Sequence, residues 1–120
     1  MIIRLEQKEM GALLLHMSIM RKNVRKGFKS NYKGDSKKVL KSYDEVKETL
    51  TQALESNGTS WSDLHFNIKE VEMLHSFLSF YTKEIDRTFL DKKLSVEDQQ
   101  QIDSLHEVKI KVDEMILSYA

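Results

Sequence analysis

The sequence predicts an all-α protein, an antiparallel up-down four-helix bundle built from two related helical hairpins. Its 120 residues include no proline and only four glycines, so residues that break helices are scarce. Apolar residues recur at three- and four-residue steps in four separate stretches, as on one face of an amphipathic helix. The length corresponds to a single domain, residues 1–120.

The first hairpin is predicted from two such stretches. Helix 1 runs from about residue 6 to residue 28, and either Asp35 or Ser36 is expected to cap helix 2 by accepting a backbone hydrogen bond. Ser56, Asn57 and Gly58 are expected to end helix 2, with Gly58 suited to a left-handed cap. The predicted core positions are Met10, Leu13, Leu14, Met17, Met20, Val24 and Phe28 in helix 1, and Val39, Leu40, Tyr43, Val46, Leu50 and Leu54 in helix 2.

The second hairpin begins with a clearer signal. Asn67 and Glu70 have the spacing of a capping box at the start of helix 3, and Ser95 with Asp98 repeats it at the start of helix 4. The predicted core positions are Val71, Leu74, Leu78, Tyr81, Ile85 and Phe89 in helix 3, and Ile102, Leu105, Val108, Val112, Ile116 and Tyr119 in helix 4.

The two hairpins resemble each other in sequence. Residues 5–28 aligned with residues 66–89 give six identities in 24 pairs, and helix 2 aligns with helix 4 at nearly the same offset. This predicts an internal repeat of residues 5–55 and 66–117. The alternative is chance similarity between amphipathic helices rich in Leu, Lys and Glu. The equivalent segments 2–5 and 63–66 are expected to form a short antiparallel strand pair, which satisfies their backbone groups.

The composition indicates a cellular compartment and excludes several kinds of chemical site. Without cysteine there is no disulfide, zinc–thiolate site or thiol nucleophile, which favours a reducing compartment. The sequence shows no secretory signal and no apolar run of membrane length, so a cytoplasmic protein without a membrane partner is expected. Glu72 and His75 have the spacing of a di-iron ligand pair, but no second such pair exists; a polar surface is the favoured interpretation. We therefore expect no enzyme, metal or cofactor.

Charge distinguishes the two halves. Residues 1–60 contain twelve Lys and Arg against seven Asp and Glu, and residues 61–120 contain the reverse. The excess is concentrated in residues 21–38, hereafter the basic segment; its counterpart, residues 82–99, has four basic and five acidic residues. The candidate contact residues of the basic segment are Arg21, Lys22, Arg25, Lys26, Lys29, Tyr32, Lys33, Lys37 and Lys38.

Three interpretations of the basic segment remain open. Its cations could be solvated surface that complements the helix dipole. They could dock on an acidic protein surface, since complementary charge raises association rates and selects partners. They could also bind nucleic acid, with Tyr32 at an exposed turn stacking on a base, although the acidic half opposes this.

A second candidate surface is apolar. Ile110 and Leu117 lie one heptad apart on helix 4, away from its core stripe, and their counterparts in helix 2 are Glu48 and Glu55. We interpret this helix-4 stripe as a contact with a partner or a second copy in a homodimer. The sequence thus predicts a small non-catalytic interaction or regulatory protein, an adaptor or inhibitor; a nucleic-acid-associated protein is the alternative.

Overall fold

The computed structural model describes residues 1–56 and 60–119 and confirms the all-α four-helix bundle. The elements in chain order are β1 (Ile2–Glu6), α1 (Gln7–Asn31), α2 (Ser36–Glu55), β2 (Trp61–His65), α3 (Ile68–Thr88) and α4 (Val96–Tyr119). Helix α2 ends at Glu55 and Ser56 follows as its C-cap, in agreement with the predicted stop, while Asn57 and Gly58 lie outside the described residues. The internal repeat stays a prediction.

The four helices share one hydrophobic core. Helices α1 and α2 pack as one hairpin and α3 and α4 as the other, while α1 also contacts α4 and α2 contacts α3. Most predicted core positions are buried, and the most deeply buried include Leu13, Met17, Tyr43, Val46, Leu50, Leu74, Leu78, Leu105, Val108 and Val112. Each such side chain stabilises the fold by roughly 1.5–3 kcal/mol through burial.

Two predicted core positions at helix ends are exposed. Phe89 follows the last residue of α3, and Tyr119 is the last residue of α4. Phe89 is 39% and Tyr119 is 63% exposed, so neither side chain is buried in the core. Helical periodicity assigns a face to a residue but does not show where the covering helix ends.

The predicted strand pair is present with shifted bounds: β1 extends one residue beyond the predicted segment 2–5, and β2 covers residues 61–65 where 63–66 was predicted. Strands β1 and β2 are antiparallel, with Ile3 opposite Leu64 and Arg4 opposite Asp63. Ile3 and Leu64 are buried against the helices. On the outer face Arg4 Nε lies 2.8 Å from Asp63 Oδ1, and the Arg4 guanidinium lies 3.7 Å from the centre of the Trp61 ring. The sheet thus joins the starts of the two hairpins.

The first residues of α3, α4 and α2 show which of the predicted helix caps are present. The capping box of α3 is confirmed: the Glu70 amide donates to Asn67 Oδ1 at 2.8 Å, and the Asn67 amide donates to the Glu70 carboxylate at 2.8 Å. At α4 the Asp98 amide donates to the Ser95 hydroxyl at 3.1 Å. Of the two candidate caps of α2, Ser36 is the first helical residue and Asp35 takes the N-cap position, but the expected bond from Asp35 is absent. Its backbone (φ −110°, ψ 2°) is not extended as at a normal N-cap, and its side chain makes no capping bond.

A buried carboxylate lies in the first turn of α1, and the sequence did not indicate that it is buried. Glu9 is almost fully buried; its Oε1 accepts a bond from the Glu6 amide and another from Lys111 Nζ of α4, each 2.7 Å long. One side chain therefore satisfies a free amide at the helix start and forms an ion pair with the neighbouring helix. Because a buried charge is costly without such partners, this contact fixes how α4 sits against α1.

Helix α1 extends three residues beyond its predicted end and finishes at Asn31. Residues 29–31 carry no apolar side chain, so periodicity gave no reason to extend the helix that far. The extension places Gly27 one turn inside the helix instead of at its end. A β-carbon added at Gly27 would meet no atom within 4 Å.

A buried tyrosine joins the two helices of the first hairpin. Tyr43 of α2 is fully buried, and its hydroxyl donates to the backbone carbonyl of Met17 on α1. Burial, together with the neighbouring Asp44 carboxylate, raises the pKa of Tyr43 well above its ordinary value. The phenol therefore keeps its proton, and its bond to Met17, at alkaline pH where an exposed tyrosine ionises.

Candidate functional site

The basic segment covers the C-terminal half of α1, the following turn and the first residues of α2. Seven of its cations are exposed to solvent: Lys22, Arg25, Lys26, Lys29, Lys33, Lys37 and Lys38. Within residues 1–56 and 60–119, no carboxylate lies within 4 Å of any of these seven charges. These seven charges therefore face solvent and do not stabilise the fold through ion pairs within the described residues.

Arg21 differs from the other cations because it has a structural partner. Its Nε and Nη2 atoms donate to the two carboxylate oxygens of Asp44 at 2.8 and 2.7 Å, a bidentate pair that links α1 to α2. These bonds hold the pKa of Asp44 below its ordinary value and raise the pKa of Arg21. Arg21 therefore belongs to the packing of the hairpin more than to the solvent-facing charge.

The cations on α1 repel one another. Lys22 and Lys26 are four residues apart, as are Arg25 and Lys29, and each like-charge pair at this spacing costs roughly 0.2–0.5 kcal/mol. Favourable interaction with the helix dipole is confined to the last turn, where Lys29 is the only basic residue. The dipole therefore does not account for Lys22, Arg25 or Lys26.

The equivalent end of the second hairpin is built without such an excess. Arg87 of α3 forms an ion pair with Glu84, and His106 Nε2 lies 2.8 Å from Asp86 Oδ1. Basic and acidic side chains alternate there, and the hairpin still forms. A basic end is therefore not a requirement of this fold.

Tyr32 lies in a different environment from the exposed turn that the sequence suggested. It is half-buried directly after α1, with its ring edge-on to Phe28 at a centroid distance of 5.6 Å. Its hydroxyl lies 3.4 Å from Ser76 Oγ of α3. The ring therefore packs between helices and does not extend among the lysines.

Tyr32 lines an apolar groove between α1 and α3, hereafter the α1–α3 groove, with a volume of about 460 Å³. Its walls include Met20, Val24 and Phe28 of α1 and Phe77, Phe80 and Tyr81 of α3. The Phe80 side chain is 64% exposed. In the sequence, Met73, Phe77 and Phe80 widen the apolar face of helix 3; Met73 and Phe77 are buried, and Phe80 opens onto the groove.

A chain of ring contacts underlies the groove. The rings of Tyr32, Phe28, Tyr43, Phe77, Tyr81 and His16 contact one another in that order, with successive centroids 5.3 to 6.1 Å apart. At its end His16 Nδ1 lies 2.6 Å from the Tyr81 hydroxyl, and Nε2 lies 2.8 Å from Gln101 Oε1 of α4. The rings therefore link α1, α2 and α3 beneath the groove, and the bond to Gln101 extends the connection to α4.

The helix-4 stripe is exposed. Ile110 is 49% and Leu117 is 74% accessible to solvent, so neither side chain belongs to the core of this chain. The stripe is separate from the basic segment and from the residues that line the α1–α3 groove.

His75, which has metal-ligand spacing from Glu72 in the sequence, is hydrogen-bonded to an aspartate in the structure. His75 Nδ1 lies 2.9 Å from Asp113 Oδ1, and Lys109 also binds Asp113; Glu72 is exposed. Burial raises the pKa of Asp113, but the bonds from Lys109 and His75 outweigh that effect and lower the pKa overall. In the described part of the chain, no three His, Asp or Glu side chains are placed to hold a metal ion.

Fold and surface together define a four-helix bundle with a short strand pair, a basic segment and an adjacent apolar groove. Comparison with protein-family models, with curated proteins and with solved structures finds no match. No helix in the described ranges has both the length and the apolar composition of a membrane span.

Proposed function

We propose that this protein is a small non-catalytic interaction or regulatory protein of the cytoplasm, which docks on the acidic surface of a protein partner through its basic segment. The observation that carries the proposal is the set of seven exposed cations without an ion-pair partner among the described residues. The absence of cysteine fits a reducing compartment.

Energetics support a binding role for these cations. Their mutual repulsion lowers stability, and the second hairpin shows that the fold forms without it. Cations that destabilise the free protein are explained if a binding partner offsets their repulsion. An acidic partner surface offsets the repulsion, because its carboxylates pair with the cations. It also raises the rate of association.

The decisive variant is Lys22→Glu with Lys26→Glu. It places an acidic residue three positions before Arg25 and three before Lys29, which turns those two repulsions into attractions, while residues 22 and 26 remain like-charged. We therefore expect the free energy of unfolding to rise by roughly 0.5–1 kcal/mol. The same variant should lose its partner. The measurement is quantitative mass spectrometry of material captured from lysate of the native organism, with urea denaturation to follow stability.

The matched control is Lys69→Glu with Lys93→Glu, which makes the same charge change at two exposed lysines outside the basic segment and away from the α1–α3 groove. We expect this control to retain the partner. Equal capture by both variants would contradict the proposal. Loss of the captured material on nuclease treatment, with a slope of log affinity against log salt of about −5 for six phosphate contacts, would identify nucleic acid instead.

The helix-4 stripe is the second surface in the proposal. Exposed Ile110 and Leu117 sit on one face of α4 and offer apolar area that the monomer leaves uncovered. We assign it to self-association, which leaves the basic segment available for the acidic partner.

A further inference from the structure

We propose that the α1–α3 groove binds an amphipathic helix with acidic flanks, contributed by the partner that the basic segment recruits. The inference rests on the proposed function and adds how the partner is held. Its basis is the shape of the groove, a glycine in its wall and the charge along its rim.

The shape of the groove suits a helix. On α1 the lining residues fall at positions 20, 23, 24, 27, 28 and 31, a continuous face about 16 Å long at 1.5 Å per residue. The opposite wall is one face of α3, from Ser76 to Glu84. A trough of this length between two helices matches about three turns of a third helix, whose apolar side chains at i, i+3, i+4 and i+7 can reach both walls.

Gly27 lies in this wall. A glycine inside a helix destabilises it relative to alanine, and nothing in this chain approaches Gly27 closely enough to exclude a methyl group. Its absent side chain leaves the α1 backbone open to close approach from within the groove. A helix that packs across Gly27 gains contact area that any larger residue would block.

The anchor on the opposite wall is Phe80, an exposed aromatic ring of the kind that dominates binding energy when a partner covers it. The charges near this wall are mostly basic. Among the described residues Lys26 and Lys83, sequence neighbours of lining residues, are exposed and unpaired; the lining Glu84 is paired with Arg87, and Glu72 is an exposed acid one turn before the wall begins. A helix with acidic residues on both flanks therefore complements the groove.

The test is selection from a displayed library of random peptides of about 14 residues, with the whole protein as bait. We expect enriched peptides to carry apolar residues at i, i+3 or i+4 and i+7 with Asp or Glu between them. Their affinity should fall about tenfold or more in Gly27→Gln and in Phe80→Asp. Circular dichroism and thermal unfolding of each variant report whether it is folded.

The controls are Gly11→Gln and Leu90→Asp, which place the same side chains at an equally open helical glycine and at an exposed apolar residue outside the groove. Both should bind the peptides as the wild type does. Absence of enrichment, or peptides that bind folded Gly27→Gln as tightly as the wild type, would overturn the groove proposal. Peptides lost only on Lys22→Glu with Lys26→Glu would also overturn it while leaving the proposed function intact.

Discussion

Arg21 and Lys22 are adjacent basic residues with different roles. Arg21 points toward α2, where Asp44 accepts both of its hydrogen bonds, while Lys22 is exposed with no carboxylate nearby in the described chain. The sequence predicted both as contact residues because charge is visible in a sequence and ion pairing is not. The pairing depends on the packing of α1 against α2, which brings together residues 23 positions apart.

The pair predicts a pH-dependent effect of Asp44→Asn. Because the folded pKa of Asp44 lies below its ordinary value of 3.8, its stabilisation is fully present above that value and is lost as pH falls through the lowered pKa. Both side chains are about two-fifths exposed, so solvent screening limits the cost at neutral pH to roughly 0.5–1 kcal/mol. Urea denaturation of both proteins across the acidic range measures it. A cost that persists below the lowered pKa would contradict this assignment.

At the scale of elements, sequence signals succeeded where the cause is local. Periodicity located all four helices, and the equivalent positions of segments 2–5 and 63–66 predicted the strand pair. The α1–α3 groove was not predicted, because it depends on which faces of two helices oppose each other. Gly27 offered a signal that was missed, since the predicted end of helix 1 at residue 28 made it look like a terminal glycine.

Caps provide a sharp element-scale prediction, because α3 has a bonded cap and α2 does not. Asn67→Ala removes the bond to the Glu70 amide and should lower the free energy of unfolding by about 1 kcal/mol. Asp35→Ala removes no capping bond and should change it by less than about 0.5 kcal/mol. Thermal and urea unfolding of the two variants, measured side by side, give the comparison. Equal losses would show that Asp35 caps α2 in solution.

At the scale of the whole molecule, zero net charge conceals two halves of opposite sign. The basic half carries the unpaired cations, and the acidic half carries the balanced end of the second hairpin together with the helix-4 stripe. A charged partner that approaches is therefore oriented by the protein's field before any contact forms, because the two hairpins carry net charges of opposite sign.

The helix-4 stripe predicts self-association. Sedimentation velocity over a range of concentrations should show a growing dimer fraction for the wild type. Leu117→Glu should remain monomeric, because it places a charge where the apolar contact forms. Leu90→Glu, at another exposed leucine away from the stripe, should behave as the wild type. A wild type that is monomeric at every concentration would remove self-association from the proposal.

The strand pair also determines how the molecule opens. The Phe66 amide donates to the Met1 carbonyl at 2.9 Å, and the Gln7 amide donates to the Ser60 carbonyl at 2.8 Å, so both ends of the sheet are closed by bonds between the hairpins. Neither hairpin can separate from the other without breaking this ladder. In hydrogen-exchange terms the strand amides report on parting of the hairpins, so the bundle opens as one cooperative unit and not as two independent foldons.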